Sequence, residues 1–117
     1  ARAGPTKKLI ETLRWDLSWG PRLAMLQDIA AQGQGLPHAL RTRPRLRADN
    51  RFYWDAFIAL SQGRGYVPGA LQPIAVGEVL AYAAMSGWGA GDAGMRLLRQ
   101  VQTMDRVYLA FHREKRT

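Results

Sequence analysis

Residues 51–88 constrain the fold more than any other stretch, because they place a glycine- and proline-bearing loop between two apolar segments of helical spacing. The first segment, RFYWDAFIAL, is apolar over most of a helical circumference, which is typical of a central helix with neighbours on more than one side. The second, IAVGEVLAYAAMSGW, repeats the helical spacing and reaches Gly87, a residue suited to a helix C-terminus. The block therefore predicts two packed helices that hold a long loop, residues 63–75.

The same spacing, with proline and glycine as breaks, predicts the other helices. The expected helices are 6–16, 21–32, 49–61, 76–86 and 92–113, with Thr6, Asp49 and Asp92 as N-caps. Two prolines limit residues 36–48 to an ordered connector with a short turn near 37–42, and no segment alternates like a strand. We therefore expect an all-α single small domain over 1–117, with four to five helices and a long Gly/Pro loop between the two central ones. Residues 1–5 and 114–117 are expected to be flexible basic ends.

Composition excludes several kinds of chemistry. The 117 residues suffice for one modest core, and 47% are hydrophobic, so we expect folding without covalent cross-links. The absence of cysteine excludes disulfides, thiolate metal sites and a cysteine nucleophile. No apolar run approaches the ~18 residues that span a bilayer, and the N-terminus has no signal-peptide core. The sequence therefore predicts a soluble, intracellular protein that does not enter membranes.

The net charge of +8 is concentrated at both ends and in one connector. Arg41, Arg43, Arg45 and Arg47 occupy every second position, so an extended backbone would place all four guanidinium groups on one side. Such an arginine connector, residues 41–47, could attract phosphates of nucleic acid or an acidic protein, or could serve solubility alone. The neighbouring aromatics Phe52, Tyr53 and Trp54 have helical spacing, which favours packing over base stacking.

No motif indicates catalysis or a cofactor. Residues 89–94 match GxGxxG, but a predicted helix precedes them and Asp92 would repel a phosphate, so an inter-helix turn is the better interpretation. His38 and His112 are the only histidines and lack metal-ligand spacing, so we interpret them as a surface turn residue and a helix-end residue. No local pattern pairs two carboxylates for acid–base chemistry. We therefore expect no enzyme activity, no cofactor and no metal.

One carboxylate is placed unusually. Asp105 lies beside the apolar stripe of the last predicted helix, where a carboxylate requires a partner. One hypothesis pairs it with Arg64, which would hold the long loop on that helix. The alternative is that Asp105 faces solvent, and the sequence does not favour either.

The block RFYWDAFIALSQGRGYVPGALQPIAVGEVLAYAAMSGW, followed by LLRQVQTMDRVYLAF, is similar to small proteins encoded in the tail-morphogenesis region of long-tailed phages and prophages. The shared features are a W-x-x-F-x-x-L helix, a Pro-Ile helix entry, an Ala-Tyr-Ala helix end with a glycine, and a Met-Asp and Tyr-Leu helix. Here these are Trp54, Phe57, Leu60, Pro73, Ile74, Ala81, Tyr82, Ala83, Gly87, Met104, Asp105, Tyr108 and Leu109. The resemblance covers residues 36–111.

This resemblance implies a non-enzymatic tail assembly chaperone or adaptor that binds a tape-measure or tail-tube protein in the cytoplasm of the bacterial host. A structural virion component and a nucleic-acid-binding accessory protein or regulator are the alternatives. The matching residues are structural, so the resemblance supplies no ligand site. The candidate partner-binding residues, taken from the arginine connector and the long loop, are Arg41, Arg43, Arg45, Arg47, Arg64 and Tyr66.

Overall fold

A computed structural model describes residues 5–33, 35–89 and 91–115, with the side chains of Pro5, Tyr66 and Lys115 outside the description. In chain order the elements are α1 (Pro5–Trp19), a 3-10 turn (Gly20–Arg22), α2 (Leu23–Ala31), α3 (His38–Arg41), α4 (Ala48–Gln62), β1 (Tyr66–Val67), β2 (Ala70–Leu71), α5 (Val76–Met85) and α6 (Asp92–Lys115). The all-α class is confirmed. The described residues divide into two compact units, the first ending at Leu46 and the second beginning at Arg47. The assignment of 1–117 to one domain stays a prediction.

The first unit contains the first three helices. Its buried apolar side chains are Leu9, Leu13, Trp15, Leu26 and Ala39. Helix α1 continues to Trp19, three residues beyond the predicted end, and stops where Pro21 supplies no backbone N–H. Gly20–Arg22 form a 3-10 turn, so α2 begins at Leu23 rather than at the proline.

The second unit is built on three helices that contact one another pairwise, α4, α5 and α6. Each contributes apolar residues to the buried interior, namely Ala56, Phe57, Val79, Ala83, Leu97, Val101 and Met104. Helix α4 packs on both α5 and α6, as its wide apolar surface predicts. At its N-terminus, Phe52 stacks on Trp88 with ring centroids 3.9 Å apart, and Tyr53 meets the same indole edge to face. These aromatics therefore pack against each other.

The predicted helix starts need correction. Helix α4 begins at Ala48 with Arg47 as its N-cap, so Asp49 is a first-turn residue whose carboxylate lies 3.7 Å from the Arg47 guanidinium. Thr6 and Asp92 likewise lie within helices, and Asp92 places a negative charge at the positive end of the α6 dipole. Of the predicted flexible ends, residues 5, 114 and 115 are helical. Residues 1–4, 116 and 117 lie outside the described part.

The turn between α5 and α6 explains the glycine-rich GxGxxG match. Gly87 and Gly89 have φ of 82° and 70°, and the N–H of Trp88 donates to the carbonyl of Ala83 at 2.9 Å, which closes the C-terminus of α5. A Cβ on Gly94 would overlap the carbonyl oxygen of Gly89, so Gly94 permits the turn to approach α6 closely. Here the glycines serve helix packing.

The long loop contains a small β-hairpin that the sequence does not predict. Its strands have two residues each and pair antiparallel, Tyr66 with Leu71 and Val67 with Ala70. Pro68 and Gly69 connect them, and the φ of 86° at Gly69 is typical of a type II turn. Strands of two residues are too short to show alternation of polar and apolar residues, so no sequence pattern could predict them.

Candidate functional site

The centre of the second unit's candidate site is a buried ion pair. Nη2 of Arg64, just beyond the end of α4, lies 2.6 Å from Oδ1 of Asp105 on α6, and the two side chains are 3% and 6% exposed. The approach is off the hydrogen-bond direction, so the contact is held by charge attraction. The structure thus brings together the two residues that the hypothesis pairs.

The same carboxylate holds the other end of the long loop. Oδ2 of Asp105 accepts a hydrogen bond from the backbone N–H of Ile74 at 2.9 Å. Within the loop, Nη1 of Arg64 donates to the carbonyl of Gln72 at 3.0 Å, and the N–H of Gln72 donates to the carbonyl of Gly65 at 3.0 Å. One side chain of α6 therefore anchors both the entry and the exit of the loop.

The remaining contacts of Arg64 complete its enclosure. Nη2 donates to Oγ of Ser61 at 3.1 Å, and Cζ lies 4.4 Å from the centre of the Tyr108 ring. Its buried Nε has no hydrogen-bond acceptor among the described residues. The face of the Tyr108 ring offsets part of this loss through a cation–π contact with the guanidinium. The guanidinium of Arg64 is buried and already paired, and its expected contact with a partner stays a prediction.

A groove opens where the long loop meets the C-terminal part of α6. It has a volume of about 450 Å³ and is lined by Gly69, Ala70, Leu71, Pro73, Leu109, His112 and Arg113. We call it the loop groove. Most of its lining is apolar, and His112 and Arg113 lie together on α6. Tyr66, the other loop residue expected to contact a partner, has its backbone in β1 and its side chain outside the described part.

The arginine connector begins in a helix and is therefore not extended along its whole length. Arg41 ends α3, and the N–H of Thr42 donates to the carbonyl of His38 at 3.0 Å, so the segment begins as a helical turn. Arg43 then places its guanidinium over the ring of Trp15, with Cζ 4.7 Å from the centroid. Arg45 is exposed, and Arg47 begins the second unit beside Asp49. The turn at Thr42 separates Arg41 from the other three arginines, and contact of the four with a partner stays a prediction.

Sequence reasoning missed Trp15. Its indole N–H donates to the carbonyl of Ala39 at 2.9 Å, and the side chain is buried. This bond ties α3 and the start of the arginine connector to α1. Its signal in the sequence is the i, i+4 spacing of Trp15 and Trp19, which places both indoles on one face of α1.

The described residues offer little for metal or membrane chemistry. No group of three or more His, Asp or Glu side chains among them could hold a metal ion. His38 begins α3 and is exposed, whereas His112 lies in α6 near its end. Within the same ranges, no helix has the length and apolar character required to span a membrane.

Comparison with known proteins gives one match. A family model described as phage tail assembly chaperone matches residues 29–110. The matched span contains the arginine connector, α4, the long loop, α5 and most of α6, and it confirms the resemblance found in the sequence. Neither the curated proteins nor the solved structures include a significant match.

Proposed function

Because the chain belongs to the phage tail assembly chaperone family, we propose that it binds a tape-measure or tail-tube protein and holds a helix of that partner in the loop groove. The observation that carries the proposal is the groove itself, an open concavity of about 450 Å³ beside a loop anchored at both ends. This role needs recognition and release but no catalytic group. We place it in the host cell, before the tail is complete.

The apolar lining supplies the affinity. Leu71 and Pro73 of the loop and Leu109 of α6 contribute to the lining. A partner helix can insert side chains at i and i+4 spacing into such a groove, and each large apolar side chain that it buries stabilises the complex by about 1.5–3 kcal/mol. The groove therefore suits the apolar face of an amphipathic helix.

The charge of the groove favours an acidic partner. Arg113 is exposed where it lines the groove, and the whole chain has a net charge of +8. An acidic residue of the partner next to its apolar anchors would pair with Arg113, and long-range attraction would speed the encounter. We therefore propose that the bound helix is acidic along one edge.

The ion pair between Arg64 and Asp105 prepares this site in advance. It fixes the loop side of the groove to α6 without any partner present. A preorganised site loses less conformational entropy on binding than a loop that must fold around its ligand. In this proposal, Arg64 acts by positioning the loop.

Co-expression with the tape-measure or tail-tube protein of the same phage tests the proposal. We expect a stoichiometric complex that survives purification and that Leu109→Glu abolishes, because a carboxylate would be desolvated in the apolar lining. Leu71→Glu on the opposite side of the groove should have the same effect. Met95→Glu is the matched control, because Met95 is an exposed apolar residue of α6 outside the groove lining.

The alternatives give different results. Failure of both tail proteins to co-purify with the wild-type chain, or a complex equally resistant to all three substitutions, would contradict the proposal. A structural virion component would be recovered by mass spectrometry of purified particles, from which a released chaperone is absent. A nucleic-acid-binding protein would instead retain DNA with an affinity that falls steeply with salt.

A further inference from the structure

The first unit contains a second groove, formed by one face of α1 and the chain that follows α3. Residues of α1 at helical spacing provide one side, and Thr42 and Pro44 provide the other. The α1 residues are Glu11, Arg14, Trp15, Ser18 and Trp19, and the volume is about 430 Å³. We call it the tryptophan groove. It consists of first-unit residues alone and shares no lining residue with the loop groove.

The two sides of this groove are fixed to each other. The indole N–H of Trp15 bonds to the carbonyl of Ala39, and the hydroxyl of Thr42 donates to the carbonyl of His38 at 3.0 Å. Trp15 is only 8% exposed, whereas Trp19 is partly exposed. Trp19 and Pro44 therefore present the apolar surface that an incoming side chain can still cover.

The surroundings of the groove are cationic. Arg14 is exposed in the lining, Arg43 lies over Trp15, and Cζ of Arg22 lies 5.8 Å from the centre of the Trp19 ring. The acidic residue of the lining, Glu11, has its carboxylate 3.5 Å from the ammonium group of Lys8. The sequence up to Leu46 contains eight Lys and Arg against three Asp and Glu, so the whole unit attracts negative charge.

We infer that the tryptophan groove binds an acidic segment of a partner protein. One bulky apolar side chain of that segment covers Trp19 and Pro44, and carboxylates on either side pair with Arg14 and Arg43. This arrangement combines an aromatic anchor with flanking charge pairs, the usual distribution of affinity and specificity at protein interfaces. It adds a second contact surface to the proposed loop groove.

Two observations favour a protein segment over single-stranded nucleic acid. Stacking of successive bases needs several free aromatic faces, but Trp15 is buried with Arg43 over its ring, so Trp19 is the accessible aromatic of this groove. The lining also contains the carboxylate of Glu11, which is 3.5 Å from its partner Lys8. A phosphate backbone would bring a negative charge past this carboxylate at every unit, whereas a peptide can place an uncharged residue there.

Fluorescence anisotropy with the full chain and a labelled repeating Glu-Glu-Leu-Glu peptide tests this inference. We expect binding that weakens with salt, and a loss of about tenfold in affinity when Gln replaces Glu or Ser replaces Leu in the peptide. Arg14→Glu should also lower the affinity by about tenfold, because it reverses an exposed charge in the lining. Arg96→Glu, an exposed arginine of α6, is the matched control and should bind like wild type.

The aromatic contribution has its own variants. Trp19→Ala should weaken the peptide by about tenfold or more, and Trp19→Phe should restore most of the affinity. Circular dichroism would confirm that both variants are folded. Leu109→Glu should leave peptide binding unchanged, so a failure of the loop groove is distinguishable from a failure here.

Three results would overturn the inference. The Gln peptide could bind as tightly as the Glu peptide, or Arg14→Glu could bind like wild type. Alternatively, an oligothymidylate of similar length could bind more tightly than the acidic peptide and lose affinity in Arg14→Glu, which would assign the groove to nucleic acid.

Discussion

Arg64 and Arg43 are the same type of residue in two loops, and the structure uses them in opposite ways. Arg64 is buried beside Asp105, bonded to Gln72 and Ser61, and covered by the ring of Tyr108. Arg43 is exposed and lies over one indole. The difference illustrates that a cationic residue becomes structural where a buried carboxylate is within its reach, and otherwise stays at the surface.

The energetics of the two loops differ accordingly. Removing one member of a buried ion pair leaves the other charge without compensation, which costs several times more than losing an exposed contact. The long loop therefore depends on one carboxylate for its position. For the arginine connector we expect the hydrogen bond between Trp15 and Ala39 and the contact of Arg43 with the Trp15 ring each to contribute less than the buried ion pair.

The largest effect should come from Asp105→Ala. It leaves the guanidinium of Arg64 buried without its counter-charge and removes the acceptor of the Ile74 N–H. We expect the free energy of unfolding to fall by about 3–5 kcal/mol, measured by urea denaturation. Limited digestion gives a local readout, because trypsin should cleave wild type after Arg45 and Arg47 and the variant also after Arg64.

A double variant separates the charge from the loop contacts. Arg64→Leu with Asp105→Leu removes both charges, so it should be less destabilised than the sum of the two single variants. Additive losses, or a loss below about 1 kcal/mol for Asp105→Ala, would show that the pair is weakly coupled and would remove the contrast with Arg43.

The second-largest effect should come from Trp15→Phe. It retains an aromatic ring but removes the donor to the carbonyl of Ala39, which keeps only the Thr42 hydroxyl at 3.3 Å. We expect a loss of about 1 kcal/mol in the free energy of unfolding and faster tryptic cleavage after Arg45. Trp19→Phe is the control and should change neither the free energy of unfolding nor the rate of cleavage after Arg45. Equal effects of the two variants would contradict the assignment of the connector's anchor to Trp15.

Much of the fold follows from the sequence, because the relevant signals are local. Helices α4, α5 and α6 lie within two residues of their predicted bounds, since apolar periodicity and flanking glycines define them. The N-caps are less predictable, because several neighbouring residues can begin a helix: α4 starts one residue before Asp49, with Arg47 as its N-cap and no side-chain cap bond.

The sites were harder to predict than the helices. The position of Asp105 on an apolar stripe is a strong signal for a buried partner, but the sequence alone leaves a solvent-facing carboxylate open. The arginine run gives the opposite lesson, because its regular spacing has meaning only in an extended backbone, and Thr42 forms a turn. The grooves combine residues that are distant in sequence, such as Leu71 with Leu109, so no local pattern predicts them.

The smallest effect should come from Arg43→Gln, which tests the exposed arginine of the comparison with Arg64. The substitution removes a cation over the Trp15 ring, an interaction worth about 0.5–1 kcal/mol at an exposed position. Arg47→Gln is the control, because Arg47 is 77% exposed and its pairing with Asp49 at 3.7 Å should contribute at most about 0.5 kcal/mol. Thermal unfolding in low and high salt measures both, and the Arg47 effect should vanish in high salt because exposed ion pairs are screened. If Arg43→Gln lowered the free energy of unfolding as much as Asp105→Ala, the charge of Arg43 would be required to fix the connector. Its guanidinium would then be structural, like that of Arg64, and would not be available to a partner.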